Sequence, residues 1–233
     1  MRILIPLLSA LALGACVAPT PTVAPQPTTV VPETIPVSVS RAIEVTRRME
    51  PVAEQICRNE TPRQNCDFEF LVNRDPRGGI NAFQTFNPET GRPVIILTVG
   101  LIRSVRNADE LAFVIGHETA HHIAQHLGEQ EAAARAGAQI FGATAQQQGA
   151  TRQEIIAAAQ QGAFVGSRQF SQRAELEADS LGTLITCAAG FDPIVGAQFF
   201  AQIPDPEAGV FSTHPPNAAR VRIVQETAAE LCP

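Results

Sequence analysis

Residues 110–127, ELAFVIGHETAHHIAQHL, decide how this chain is read. The segment reads as one helix, with Asn107 or Asp109 as candidate N-caps. Four of the chain's five histidines lie within ten of its positions, 117–126, and a surface helix has no packing reason to collect imidazoles. His117-Glu118-Thr119-Ala120-His121 is an H-E-x-x-H pattern. A helix turns about 100° per residue, so residues four apart share a face. Two imidazoles placed so can reach one divalent ion, of which tetrahedral zinc is the usual occupant. Glu118 then points near water at that ion, whose proton a carboxylate can take. His122 and His126 are also four apart, but their face is rotated about 140° from the first pair and implies no acidic partner. His126 is therefore read as polar packing or a supporting hydrogen-bond group, and His122 as structural or partly exposed.

A catalytic zinc site keeps three protein ligands and one open position, so the pattern requires a third ligand elsewhere. ELEAD, 175–179, lies on an expected helix and puts Glu175 and Asp179 on one face. Glu175 is the candidate third ligand, and Asp179 can accept a hydrogen bond from the distal N–H of a ligand histidine. Glu177 points about 160° away and is the fallback. One metal per chain is expected.

Outward from these motifs, 233 residues hold one sizeable domain, and the net charge of −6 argues against a nucleic-acid partner. The basic residues are all arginine, and Tyr and Trp are absent, which removes one common transition-state donor. The N-terminal run MRILIPLLSALALGA (1–15) is expected to be a signal peptide, too short to span a bilayer. It ends in LGAC, which resembles a lipoprotein lipobox with Cys16 as the lipidated residue; Val17 is not the aspartate associated with inner-membrane retention. Residues 16–39 read as a Pro/Thr-rich tether and 40–233 as the folded domain. Cys57, Cys66, Cys187 and Cys232 allow two disulfides in three connectivities; sequence proximity favours Cys57 with Cys66, leaving Cys187 with Cys232.

Within the domain, 41–58 is an expected helix with an apolar stripe at Val45, Met49, Val52 and Ile56 and a candidate kink at Pro51. FEFLV (68–72) and INAFQTF (80–86) are strand-like runs joined by the turn signal DPRGG, and RPVIILTVGLI passes from strand to helix near Gly100. Residues 128–168, rich in Ala, Gly and Gln, are read as two helices with breaks near Gly149-Ala150 and Gly162 to Gly166. The glutamines within IIAAAQQGAFVG argue against a membrane span. A helix over the ELEAD region stops at Gly190, another opens at Pro193, and Pro215-Pro216 start the last. The fold class expected is α+β, mainly helical, with a small sheet packed under the histidine-bearing helix.

H-E-x-x-H followed by E-x-x-A-D resembles the gluzincin zinc peptidases of the HtpX-like, CAAX-prenyl-protease-like family. INAF (80–83), Gly100-Leu101, His126, SRQFSQRAELEADSLG (167–182) and THPP (213–216) with Arg220 carry the resemblance across approximately residues 40–233. It implies a zincin-like catalytic domain with His117, His121 and Glu175 as zinc ligands and Glu118 as catalytic base. It also implies that His214 and Arg220 lie at the cleft. With no Tyr in the chain, these two are the best available donors to a developing oxyanion, and His214 can alternatively ligate the metal and hold the site off. The expectation is a lipid-anchored zinc endopeptidase on the periplasmic face of a bacterial outer membrane, with no appended repeat domain. Its partners are polypeptides, including misfolded envelope proteins, and the membrane through its anchor. The rivals are a chaperone-like or scaffolding lipoprotein with a latent, His214-gated site, and a histidine-rich metal-storage protein.

Overall fold

Ser38 opens the folded chain by accepting a hydrogen bond from the Arg41 N–H, which caps helix α1 (Val39–Glu60). The computed structural model describes residues 38–205 and 214–232; the signal segment 1–15, Cys16 and all but the end of the tether lie outside the described residues. Helix α1 runs on through Pro51 and buries Ala42, Val45, Met49, Ala53 and Cys57. Strict four-residue spacing thus carries the fully buried stripe to Ala53 and Cys57, while Ile56 packs partly buried against the same core.

Three strands follow: β1 (Glu69–Asn73), β2 (Ala82–Phe86) and β3 (Pro93–Thr98). The first two runs are not a hairpin. β3 takes the centre of a β1-β3-β2 sheet, parallel to β1 and antiparallel to β2, with Phe70 opposite Ile95 and Phe83 opposite Ile96. PVIILT is buried at five of its six positions, and an apolar run of that kind belongs in the sheet interior. β2 is left as an edge strand.

Thr98 caps α2 (Val99–Ser104), and Asn107 caps α3 (Ala108–Ile123) by accepting from the Glu110 N–H at 2.9 Å. Asp109, the alternative cap, instead accepts from the Asp192 N–H. α3 is buried on nearly every face and forms the centre of the molecule. It ends before Gln125, whose φ of 58° makes it the one non-glycine residue with positive φ among those described. A new helix, α4 (His126–Gln147), starts there and pairs with α5 (Arg152–Ala188). The turn between them contains Gly149, at φ 78°, and Thr151 with Glu154 builds a capping box at the start of α5.

The break anticipated at Gly162–Gly166 does not occur: α5 is continuous over 37 residues. A Cβ on Gly162 would stand 2.1 Å from the Gly137 carbonyl oxygen, and one on Gly166 2.3 Å from that of Ala133. These glycines allow two helix backbones to touch. They do not end a helix.

Short helix α6 (Pro193–Gly196) follows Gly190, a 3₁₀ turn covers Ala197–Gln202, and α7 (Asn217–Leu231) closes the domain. The structure pairs Cys57 with Cys66 and Cys187 with Cys232, at Cα separations of 5.7 and 5.9 Å. The second pair fixes the end of α5 to the end of α7. Among the described residues no helix is long and apolar enough to cross a membrane.

Candidate metal centre

The site lies where α3 crosses α5. Gly116 and Gly182 meet there: a Cβ on Gly116 would be 2.8 Å from the Gly182 carbonyl oxygen, and one on Gly182 2.9 Å from the His117 nitrogen. Backbone contact at this point, one residue before His117 and three after Asp179, sets the α5 carboxylates against the α3 imidazoles. Sequence reasoning passed over both glycines. Their position beside the two motifs was the available signal.

His117 Nε2 and His121 Nε2 are 3.1 Å apart, and the Glu175 carboxylate oxygens lie 3.4 Å from each. A tetrahedral ion with bonds of 2.0–2.1 Å has ligand–ligand edges of roughly 3.3 Å. The contacts, made by Glu175 Oε2 to His117 and by Oε1 to His121, are of the size of such edges. The three donors fit a metal ion, and His117, His121 and Glu175 are the group among the described residues whose donor atoms converge in this way.

Each donor is held from behind. Asp179, fully buried, places Oδ1 2.9 Å from His117 Nδ1. Arg220 from α7 forks onto Asp179, with Nε and Nη2 each donating at 2.7 Å, and its guanidinium stacks 3.9 Å over the Phe200 ring. Arg220 was expected to reach an oxyanion. Asp179 claims two of its nitrogens, so its first role in this geometry is to hold that carboxylate. His214 Nδ1 lies 2.9 Å from Glu175 Oε2, with about half of its side chain exposed.

His126 brings a correction. The second histidine face was drawn on one uninterrupted helix, but the left-handed Gln125 breaks it and returns His126 toward the motif. His126 Nδ1 is 2.9 Å from His121 Nδ1, and its Nε2 is 3.5 Å from Glu177. The face thus has an acidic partner, and Glu177 stands outside the donor triangle. His122 is fully enclosed, edge-on to Phe68 and Phe86, with Nε2 2.8 Å from the Asn65 carbonyl.

Electrostatics follow burial and contact. Burial disfavours a charged His117, yet its contacts with Asp179 and Glu175 outweigh that and push its pKa up to about 10. Burial would likewise raise the carboxyls, but contacts with His117, His121 and His214 hold Glu175 well below the ordinary range, and His117 and Arg220 do so for Asp179. The pocket favours two anions facing positive charge, which suits a cation.

Glu118 borders two cavities. One, about 200 Å³, is lined by Phe83, Gln84, His121 and Leu127. The other, about 270 Å³, has His117, His214 and Arg220 on one side and Leu101, Phe199 and Phe200 on another. Edge strand β2 flanks both, through Phe83 on one side and Ala82 on the other.

Two histidines one turn apart, a glutamate from a second helix and a small sheet beside them are the makings of a zincin-like metallopeptidase. Residues 40–228 match peptidase family M48, and the chain belongs to that family. It is 30% identical over 181 residues to the Beta-barrel assembly-enhancing protease of Yersinia pestis, covering 70% of this chain and 35% of the relative. It is also 30% identical over 165 residues to the Mitochondrial metalloendopeptidase OMA1 of Schizosaccharomyces pombe, covering 68% and 46%. The Beta-barrel assembly-enhancing protease of Escherichia coli K12 matches at 30% over 161 residues, covering 63% and 30%. The match thus spans less than half the length of each of these curated relatives.

Proposed function

We propose that this protein is a zinc-dependent endopeptidase of the cell envelope. The observation that carries the reading is the convergence of His117, His121 and Glu175 at the floor of a groove that Glu118 overlooks. Two imidazoles and a carboxylate are a donor set suited to zinc, one ion per chain. When bound, zinc supplies Lewis acidity, lowering the pKa of water to about 7 and polarising a carbonyl.

The chain's own groups do the rest. A substrate strand pairs along the β2 edge and crosses Glu118, with side chains entering the cavities on either side. Phe199 and Phe200 favour an apolar side chain in the larger one. Glu118 accepts the proton of the attacking water and returns it to the leaving amine. His214 donates to the developing oxyanion from across the groove, and Arg220 acts by fixing Asp179, and through it the His117 ring.

Names of relatives, the lipobox-like LGAC and two cysteine pairs together support an exported, disulfide-bonded protein. We place it on the periplasmic face of an outer membrane, anchored through Cys16, acting on misfolded or stalled envelope proteins. The test is Glu118→Gln assayed on casein and on a denatured envelope protein, with zinc content measured beside it. Loss of hydrolysis with zinc retained is expected; hydrolysis equal to wild type overturns the reading. The contact between His214 and Glu175 favours one second reading, a scaffold whose site is kept latent. His214→Ala separates the two: it lowers activity in the endopeptidase and releases it in the latent form.

A further inference from the structure

Of the two imidazoles that converge with Glu175, one is oriented by a carboxylate and the other by a third histidine. We propose that His126 is a positioning residue for His121, working as the middle member of a Glu177–His126–His121 relay. The inference rests on the metallopeptidase reading above and deepens it.

Geometry supplies the argument. For His121 to offer Nε2 to an ion, its proton must sit on Nδ1, and that proton needs an acceptor. His126 Nδ1 stands 2.9 Å from it. If His126 accepts there, its own proton is on Nε2, facing Glu177 Oε2 at 3.5 Å. One tautomer assignment points each ring proton of the chain toward the next member. The same demand at His117 is met by Asp179 directly, at 2.9 Å. The two rings of the relay meet edge to face, centroids 5.0 Å apart, and His126 is only 4% exposed.

The backbone points the same way. Gln125 holds φ at 58°, ψ at 27°, a left-handed conformation that a residue with a branched-off side chain adopts at a cost. Had α3 run on as a regular helix, His126 would lie about 140° from His121 around the axis and could not reach it. The left-handed residue ends α3, starts α4 and folds His126 back over His121. Strain next to a ligand is thus accounted for by what it places.

The experiment measures zinc affinity by chelator competition on the full chain, with thermal unfolding of the metal-free protein as the check on folding. His126→Ala should weaken zinc binding by about 10- to 100-fold. His126→Asn puts Oδ1 where Nδ1 stands, restoring an acceptor without the second nitrogen, and should recover most of that loss. Glu177→Gln should weaken binding in the wild-type background and have no further effect with His126→Asn. A purely structural role would lower metal-free stability and give no rescue by asparagine. Zinc binding by His126→Ala as tight as wild type overturns the relay, as does His126→Asn behaving no better than alanine. If the wild type itself takes up no zinc, the endopeptidase reading fails and the relay with it; if only the His126 series is flat, the relay alone falls.

Discussion

Replacing Gly182 with alanine sets two effects of opposite sign against each other. In a helix interior, alanine is favoured over glycine by about 1 kcal/mol. Here, though, the new methyl would lie 2.9 Å from the His117 nitrogen, 3.0 Å from its Cα and 3.1 Å from the Gly116 carbonyl carbon. Carbon contacts relax near 3.5 Å, so α3 and α5 must separate by roughly 0.5 Å. Backbone atoms cannot rotate aside as a side chain would, and overpacking of this kind costs about 1–3 kcal/mol. The net expectation is a loss of up to about 2 kcal/mol, or a few degrees in Tm for a chain of this size. The separation also spreads His117 from Glu175, and zinc affinity and kcat/KM on casein should fall about tenfold or more. Gly128 in α4 is the control, because a Cβ there meets nothing within 4 Å. Gly128→Ala should raise Tm by a few degrees and leave the site unchanged. If Gly182→Ala raised Tm as Gly128→Ala does, with zinc affinity intact, the close crossing would not be what sets the site.

Removal of Asp179 should be far more damaging than its position behind a ligand suggests. Asp179→Ala leaves the buried Arg220 guanidinium with only the longer 3.5 Å contact to Glu175, at a cost of about 3 kcal/mol in urea unfolding. Pairing it with Arg220→Met should recover part of that loss. His122 makes a pH-dependent contribution. Burial lowers its pKa, and the Asn65 carbonyl only partly opposes this. The folded state therefore binds fewer protons than the unfolded chain, and the contribution is present above the ordinary imidazole value and lost as pH falls below it. The stability difference between wild type and His122→Gln should narrow from pH 7 to pH 5. Finally, Thr151→Ala removes the cap of α5 and should cost about 1 kcal/mol, with zinc binding and hydrolysis unaffected.

What the sequence disclosed was what depends on local periodicity. His117 and His121 share a face because a helix repeats every 3.6 residues, and Glu175 with Asp179 follows the same rule. Asn107 and the DPRGG turn are signals of the same local kind. The misreadings have a common physical origin in contacts between segments. Gly162 and Gly166 resemble helix breakers until α4 is laid against them. β1 and β2 resemble a hairpin until β3, the most apolar run, takes the middle. His126 was assigned a direction by continuing the helix of His121, and one left-handed residue, invisible to periodicity, redirected it. Arg220 could be named as belonging to the cleft, but its commitment to Asp179 depends on where α7 docks.

The uninterrupted length of α5 makes it a pointer. Its far end at Arg152 and Glu175 belong to the same rod, 23 positions or about 35 Å apart at 1.5 Å per residue. A tilt of one degree about the carboxylate end swings the turn at Gly149 through roughly 0.6 Å, with no clash at the chemistry. A spectroscopic label attached at that turn, measured against a second on the exposed face of α1, would read out a small rotation of α5 about its carboxylate end as a displacement of the turn. The length of the arm thereby turns a rotation too small to see at the crossing of α3 and α5 into a movement large enough to measure.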